Sequence, residues 1–224
     1  MQKIPVVFRA FDLLEWKGED IRQQPFHQRR DHLLEAISPA SDTGVLLPSE
    51  AISFEKWTTL ANLREKAREY HSEGLMLKNI HSPYLSGRKK GHWWKWKVDP
   101  LLVDAVMIYA QSGHGRRANL FTDFTFAVKD GEKLVPFAKA YSGLKDEEFR
   151  EITQWVRRNT LERYGPVRAV PPAHVFEIAF EGIRSSSRHK SGIALRFPRI
   201  SRWRRDKPVE EIDTLEHLQQ MLEQ

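Results

Sequence analysis

"HWWKWKVDPLLVDAVMIYAQ", residues 92–111, changes character at its middle. In HWWKWKV, the two-residue period of a strand puts Lys95 and Lys97 on one face and Trp94, Trp96 and Val98 on the other. Two lysines side by side repel unless an anion lies between them, while the opposite face can bury in a core. The competing reading is a surface edge strand that carries lysine against aggregation. Beyond Asp99-Pro100, LLVDAVMIYAQ reads as an apolar strand of different texture, so a domain hinge is expected at this dipeptide.

Downstream of the hinge, LFTDFTFAV, KLVPFAKAY, HVFEIAFEGI and IALRFP complete a set of five strand candidates. Turns at Gly113-His114-Gly115 and Asp130-Gly131 join the first three. A helix is expected from about Asp146 to Leu161, with acids in its first turn, a buried stripe of Phe149, Ile152 and Val156, and Gly165-Pro166 after it. Five short strands and one helix suit an OB-type barrel, a fold often used on nucleic acid; a small barrel of another kind is the alternative. A last helix is expected from about Val209 to Leu222.

Upstream, VVFRAFDLL reads as a strand running into a turn at Gly18, and PFHQRRDHLLEAI as a short helix opened by Pro25. GVLLPSEAIS reads as extended. Trp57, Leu60, Leu63, Ala67 and Tyr70 recur at helical spacing, predicting one amphipathic helix from Phe54 to about Tyr70. The strand EGLMLK follows, acidic at Glu73 and basic at Lys78. Either its ends simply reach solvent, or they face a pocket that holds something charged.

The composition narrows the function. Of 224 residues, 40% are hydrophobic and 11% aromatic, enough for a real core. Cysteine is absent, which excludes disulfides, thiolate metal sites and cysteine nucleophiles. No apolar run approaches the roughly 20 residues of a membrane span, and the first residues carry no signal-peptide pattern. The expectation is a soluble cytoplasmic protein. The net charge is +6, but Ile183 to Lys207 holds nine basic residues against Asp206 alone, so the remainder is slightly acidic. Charge so concentrated is a footprint for polyphosphate, a nucleic-acid backbone or a nucleotide; a solvated basic face is the alternative.

Four stretches, FDLLEWKGEDIRQQPFHQRR, EGLMLKN, SPYLSGRKKGHWWKWK and LRFPRISRWRRDK, stand in the order and approximate spacing of ATP-dependent DNA ligases of bacterial type. The resemblance covers almost the whole chain. It implies an α+β fold: part of a nucleotidyltransferase domain, ATP-grasp-like antiparallel sheets with helices, over residues 1–99, then an OB-fold barrel over 100–224. It also implies ATP and Mg²⁺ (or Mn²⁺) as cofactors, nicked double-stranded DNA as partner, and no membrane. In the family, a K-x-D-G lysine takes AMP from ATP, passes it to the 5′-phosphate of a nick, and the 3′-hydroxyl displaces it.

Carried over by position, the resemblance gives Phe11 an adenine to stack on and makes Glu73 a metal-binding or nucleotide-orienting carboxylate. Lys95 and Lys97 would hold the α-phosphate, and Arg88 and Lys89 would sit beside the nucleotide or nick phosphate. Many relatives have Arg at the position of Lys89, and Lys lacks the bidentate fork. Arg204, Asp206 and Lys207 would swing over ATP and orient its pyrophosphate. Arg196 and Arg199 would place the barrel or grip DNA. Arg184, Arg188 and Lys190, in a glycine- and serine-rich loop expected to be flexible, would follow the DNA backbone. Strand alternation separates Lys78 from Glu73, which makes Lys78 structural or peripheral.

The K-x-D-G motif is absent; Lys129-Asp130-Gly131 lacks the intervening residue. The metal-site glutamate motif that precedes Phe11 in the family is absent too. Matched to the family, the chain begins midway through the nucleotidyltransferase domain, so an N-terminal part carrying the nucleophile is expected to be missing, and the chain alone is expected not to self-adenylate. RNA ligases and capping guanylyltransferases share the chemistry and stay open as readings. So does a non-catalytic OB-fold nucleic-acid-binding module.

Overall fold

A computed structural model describes residues 6–39 and 44–222. The chain divides into two compact units, Met1–Val98 and Asp99–Gln224.

In the first unit, β1 (Phe8–Ala10) leads into a tight hairpin of β2 (Glu15–Trp16) and β3 (Glu19–Asp20) around Gly18. Helix α1 (Phe26–Ile37) follows Pro25, and β4 (Leu46–Pro48) pairs with β1 in parallel. The expected strand VVFRAFDLL is therefore short. The chain leaves the β1–β4 ladder after Ala10, where Asp12 turns inward to meet Arg29. Helix α2 (Trp57–Glu65) starts later than expected and tightens into a 3₁₀ segment, Lys66–Tyr70. Of its expected stripe only Leu60 and Ala67 are buried; Trp57 and Tyr70 are 62% and 67% exposed. The unit ends in an antiparallel pair, β5 (Gly74–Lys78) and β6 (Trp93–Lys97), in register from Gly74 opposite Lys97 to Lys78 opposite Trp93.

The centre of this unit is an ion pair as much as an apolar core. Ala10, Leu33 and Ile37 form a small cluster. Beside it Arg29 is fully buried. Its guanidinium donates to both oxygens of the Asp12 carboxylate, at 2.8 and 2.9 Å. It also donates to the carbonyls of Ser82, at 3.0 Å, and Gln24. One side chain thus ties α1 to three other parts of the chain.

The second unit is a barrel of the OB type. Its strands are β7 (Leu101–Ser112), β8 (Phe121–Asp130) and β9 (Lys133–Ala140), followed by α3 (Asp146–Arg158) and a small hairpin, β10 (Glu162–Tyr164) with β11 (Val167–Ala169). Then come β12 (Val175–Phe180), the hairpin β13 (Gly182–Ser185) with β14 (Ile193–Arg196), and β15 (Arg199–Trp203). β7 pairs antiparallel with β8 and β12, β8 with β9, and β12 with β15. The ring is completed where the Ile200 N–H donates to the Ser142 carbonyl at 2.9 Å. This closure demands glycine at 143: at φ +111°, a Cβ there would lie 1.7 Å from the Ile200 oxygen. HVFEIAFEGI, expected as one strand, breaks at Glu181 into β12 and β13. The fifth barrel strand is RISRW rather than IALRFP, which pairs with β13 in a hairpin while Ile193 is buried in the barrel core. Ile200 points into the core while Arg199 and Arg202 find carboxylates, so a barrel strand runs through what reads as a purely basic strip.

α3 ends at Arg158, with Phe149, Ile152 and Val156 buried against the barrel. Its Thr153 hydroxyl accepts from the Phe121 N–H at 3.0 Å. The expected last helix is divided: Val209–Glu211 is 3₁₀, and α4 (Leu215–Gln220) begins only after Thr214 caps it. The intervening residues are spent on β7 and β8, since Asp213 bonds Asp104 through both N–H and carboxylate and its carbonyl accepts from Lys129. Among the described residues no helix is long and apolar enough to cross a membrane.

Because Phe149 is 1% exposed at the centre of the α3–barrel interface, Phe149→Ala should cost about 3–5 kcal/mol. Leu161→Ala, at a side chain 66% exposed, should stay within about 0.5 kcal/mol. Chemical denaturation followed by circular dichroism measures both, and equal losses would contradict this account of the core.

Candidate functional site

On β5 and β6, alternation and register bring Gly74, Met76 and Lys78 onto one face with Trp93, Lys95 and Lys97. The other face carries Trp94 and Trp96, with Trp57 of α2 set edge-on to Trp96 at 6.3 Å. Trp94 is still 48% exposed, so this side is only partly a core.

Glu73 joins the lysine face despite the alternation rule. Its carboxylate lies 2.8 Å from the Lys97 ammonium. The cause is Gly74, whose φ of +135° breaks the alternation at the start of β5. A Cβ at this position would stand 2.3 Å from the Trp96 carbonyl oxygen and 2.7 Å from the Lys97 Cα. Lys95, two residues along, is exposed, and among the described residues no acid pairs with it.

Lys78 is not peripheral. It shares the face with Lys95 and Lys97, and its half-buried amine donates to the Phe11 carbonyl at 3.1 Å. The amine lies 4.7, 4.6 and 4.2 Å from the ring centres of Phe11, Phe26 and Trp93. Burial in this aromatic setting pushes its pKa down to about 8; Asp12 pulls the other way, and Arg30 and Arg29 add to the lowering. Phe11 itself meets Trp93 edge-on at 6.1 Å and is 49% exposed. Tyr84 and Phe26 complete the surround of Trp93. Phe11, Glu73, Lys95 and Lys97 thus converge on one face, with Lys78 and Trp93 joining them. Arg88 and Lys89 are exposed on the segment between the two strands, where Lys89 lines a cavity of about 190 Å³ with Tyr84, Leu85, His92 and Trp93.

In the barrel unit the cations near the chain end are already engaged. Arg204 and Lys207 both donate to one oxygen of Asp104 on β7, at 2.8 and 2.7 Å. Arg204 also grips Asp206, holding that carboxyl down at about 2. Arg199 pairs with Glu181, Arg202 with Glu177, and Arg205 with Glu151. Arg199, Arg202, Arg204, Arg205 and Lys207 are therefore balanced by carboxylates, most of them distant in sequence. Arg184, Arg188 and Lys190 are exposed on the β13–β14 hairpin, and Arg196 lies against Phe197. The hairpin tip is not a loose loop. The Ser186 N–H donates to Gly192, the Gly192 N–H to His189, and the Arg188 N–H to the Ser186 hydroxyl.

Sequence reasoning missed Arg29, Asp12 and Asp104. Arg29 and Asp12 stand inside quoted motifs, but nothing local distinguishes a buried arginine from an exposed one. Asp104 had a usable signal, a lone acid inside an apolar strand, which demands a partner when buried.

Residues 1–97 match the family model of the ATP-dependent DNA ligase domain, and residues 117–207 that of the ATP-dependent DNA ligase C-terminal region. The chain belongs to the ATP-dependent DNA ligase family. A probable DNA ligase of Koribacter versatilis is 38% identical over 240 residues, covering 98% of this chain and 42% of that protein. DNA ligase 1 of Korarchaeum cryptofilum is 36% identical over 230 residues, covering 100% and 40%. The chain thus spans about two fifths of the length of these ligases. In fold it is similar to a Lig E DNA ligase described as binding DNA with a minimal scaffold, at a TM-score of 0.61 and 21% identity, covering 88% of this chain and 63% of that one. A second solved structure, Pmar-Lig_PreS3, gives 0.63 at 18% identity over 81% of this chain and 40% of that one.

The geometry at Gly74 is testable without nucleotide. Gly74→Ala should open the Glu73 end of the β5–β6 pair, raising amide exchange at Leu75 and Trp96. Its destabilisation should exceed that of Gly87→Ala, where a Cβ meets open space and backbone strain of about 1–2 kcal/mol acts alone. Equal effects would show that Gly74 is needed only for its φ.

Proposed function

We propose that this chain supplies the phosphate-handling and DNA-gripping groups of an ATP-dependent enzyme that seals nicks in duplex DNA. The observation that carries the reading is the single face on which Phe11, Glu73, Lys95 and Lys97 converge, in a chain whose two units match the ligase family. The exposed surface of Phe11 offers a flat apolar platform for adenine. Lys95 and Lys97 place positive charge where an α-phosphate gains negative charge during transfer. Glu73 sets Lys97 and offers one oxygen ligand.

A magnesium ion fits this donor set in the usual manner, held by one or two carboxylates with phosphate oxygens and water. Among the described residues no cluster of three acidic or histidine groups would hold it by protein alone. When bound it would neutralise phosphate charge. Glu73 is the residue that would hold it.

The lysine of K-x-D-G does not occur in these 224 residues and would come from other polypeptide. Its amine attacks the α-phosphorus, forming a P–N bond as the bond to pyrophosphate breaks. The nick 5′-phosphate then takes the AMP, forming DNA-adenylate and freeing the lysine. The 3′-hydroxyl closes the strand and expels AMP, losing its proton. Arg204 and Lys207 would serve the pyrophosphate on leaving Asp104, with Asp206 orienting Arg204. Arg88 and Lys89 would flank the nucleotide or nick phosphate. Arg184, Arg188, Lys190, Arg196 and Arg199 would meet the DNA backbone. Arg199, held by Glu181, would do so with part of its charge already balanced.

Incubated alone with α-labelled ATP and Mg²⁺, the chain should give no covalent band on denaturing electrophoresis; an acid-stable labelled band would demand another nucleophile. Joined to a K-x-D-G segment of a relative, it should adenylate, and Ala at Lys95 or Lys97 should lower the rate on the order of 10²-fold. Adenylation unchanged in both variants would remove the lysines from the reaction.

Arg188→Ala with Lys190→Ala should weaken binding to a nicked duplex and lower the slope of log affinity against log salt by about one unit per lost contact. The same slope before and after would place DNA elsewhere.

A further inference from the structure

Among the described residues of β5 and β6, Lys78 is the one cation on the lysine face that the proposed reaction does not use. Its half-buried amine lies against three aromatic rings and the Phe11 carbonyl. The charged groups around it come from several elements. Asp12 lies on the segment after β1 and Arg29 and Arg30 on α1, while the β5–β6 register puts Lys95 on the same face, two residues beyond Trp93. The single acid among these, Asp12, is already bound by Arg29 through two hydrogen bonds. Among the described residues Lys78 therefore has no carboxylate of its own. What it holds is Phe11, by the backbone through its carbonyl and by the side chain through one face of the ring.

We propose that Lys78 is a positioning residue for the nucleotide base, fixing Phe11 so that the exposed remainder of its ring is presented to a flat partner. The inference rests on the reading of Phe11 as the adenine platform. An ammonium against a ring face is attractive and directional, and it strengthens as water is excluded. A neutral amine keeps the hydrogen bond but loses most of the hold on the ring. With a pKa of about 8 against the ordinary 10.5, the hold weakens within an accessible pH range. The sign separates this from unfolding. Between about 8 and 10.5 the unfolded chain retains a proton that the folded chain has released, so this group makes the fold more stable as pH rises, while the platform loosens.

The test uses the 224-residue chain and adenosine, which has no phosphate for a lysine to contact. Binding is followed by NMR at the Phe11 and Trp93 rings from pH 6.5 to 9.5. Phe11→Ala should abolish the shifts. Lys78→Met should weaken adenosine about tenfold at pH 7, and Lys78→Arg should recover most of it. In the parent chain affinity should fall with a midpoint near 8, matching the titration of the Lys78 Cε resonance, and Lys78→Met should show a flat profile. If adenosine leaves Phe11 unshifted at millimolar concentration, the platform reading fails and this inference with it. If Phe11→Ala abolishes binding but Lys78→Met and the parent's pH profile change nothing, the inference alone is overturned. It is overturned equally if Lys78→Met weakens AMP but not adenosine, because Lys78 would then act on phosphate. The pH profile needs no substitution, so a misfolded variant does not rescue the idea.

Discussion

A guanidinium with no access to solvent sets the first unit. Arg29 is fully buried, and leaving such a charge unpaired would cost roughly 3–5 kcal/mol, a large part of the stability of a domain. The chain meets that demand by bringing Asp12, Gln24 and Ser82 to it. Asp12 follows Phe11, and Ser82 precedes the segment that leads to Trp93. The ion pair therefore places the aromatic groups around which the lysine face is arranged. With an apolar cluster as small as Ala10, Leu33 and Ile37, hydrophobic burial alone would not specify those positions.

The barrel solves the reverse problem. Its apolar core is large and its strands are long, but one strand of the ring passes through the most basic part of the sequence. Carboxylates on β7, β12, α3 and the turn before β13 balance that strand and its continuation. The result divides the basic strip in two. The cations from Arg199 onward are organised by internal acids, and those from Arg184 to Lys190 are exposed on a hydrogen-bonded hairpin. A phosphate approaching Arg204 or Lys207 competes with Asp104; one approaching Arg188 or Lys190 competes with water.

Much of the architecture was legible in sequence because it depends on local periodicity. The alternation in WWKWK, the stripe of Phe149, Ile152 and Val156, and the turns at Gly113 and Asp130 all survive into the structure. Errors fell where a long-range contact overrode a local preference. The helix expected through residues 209–222 is interrupted because Asp213 is bound to Asp104. The stripe from Trp57 to Tyr70 is genuine spacing, but only its middle found a surface to cover. RISRW has strand alternation that is hidden beneath its charge.

The sequence by itself determined the α+β character, the change of texture at Asp99-Pro100, and the order of the motifs that mark the ligase family. These rest on residue type and spacing, which no folding is needed to read. Tertiary structure alone decided which charges meet. Glu73 reaches Lys97 only because a positive φ at Gly74 undoes the alternation, and Arg204 and Lys207 share a carboxylate about a hundred residues away. Lys78, at a strand end, donates to the Phe11 carbonyl across 67 residues of sequence. An electrostatic environment depends on distance and burial, and neither is a property of neighbouring residues along the chain.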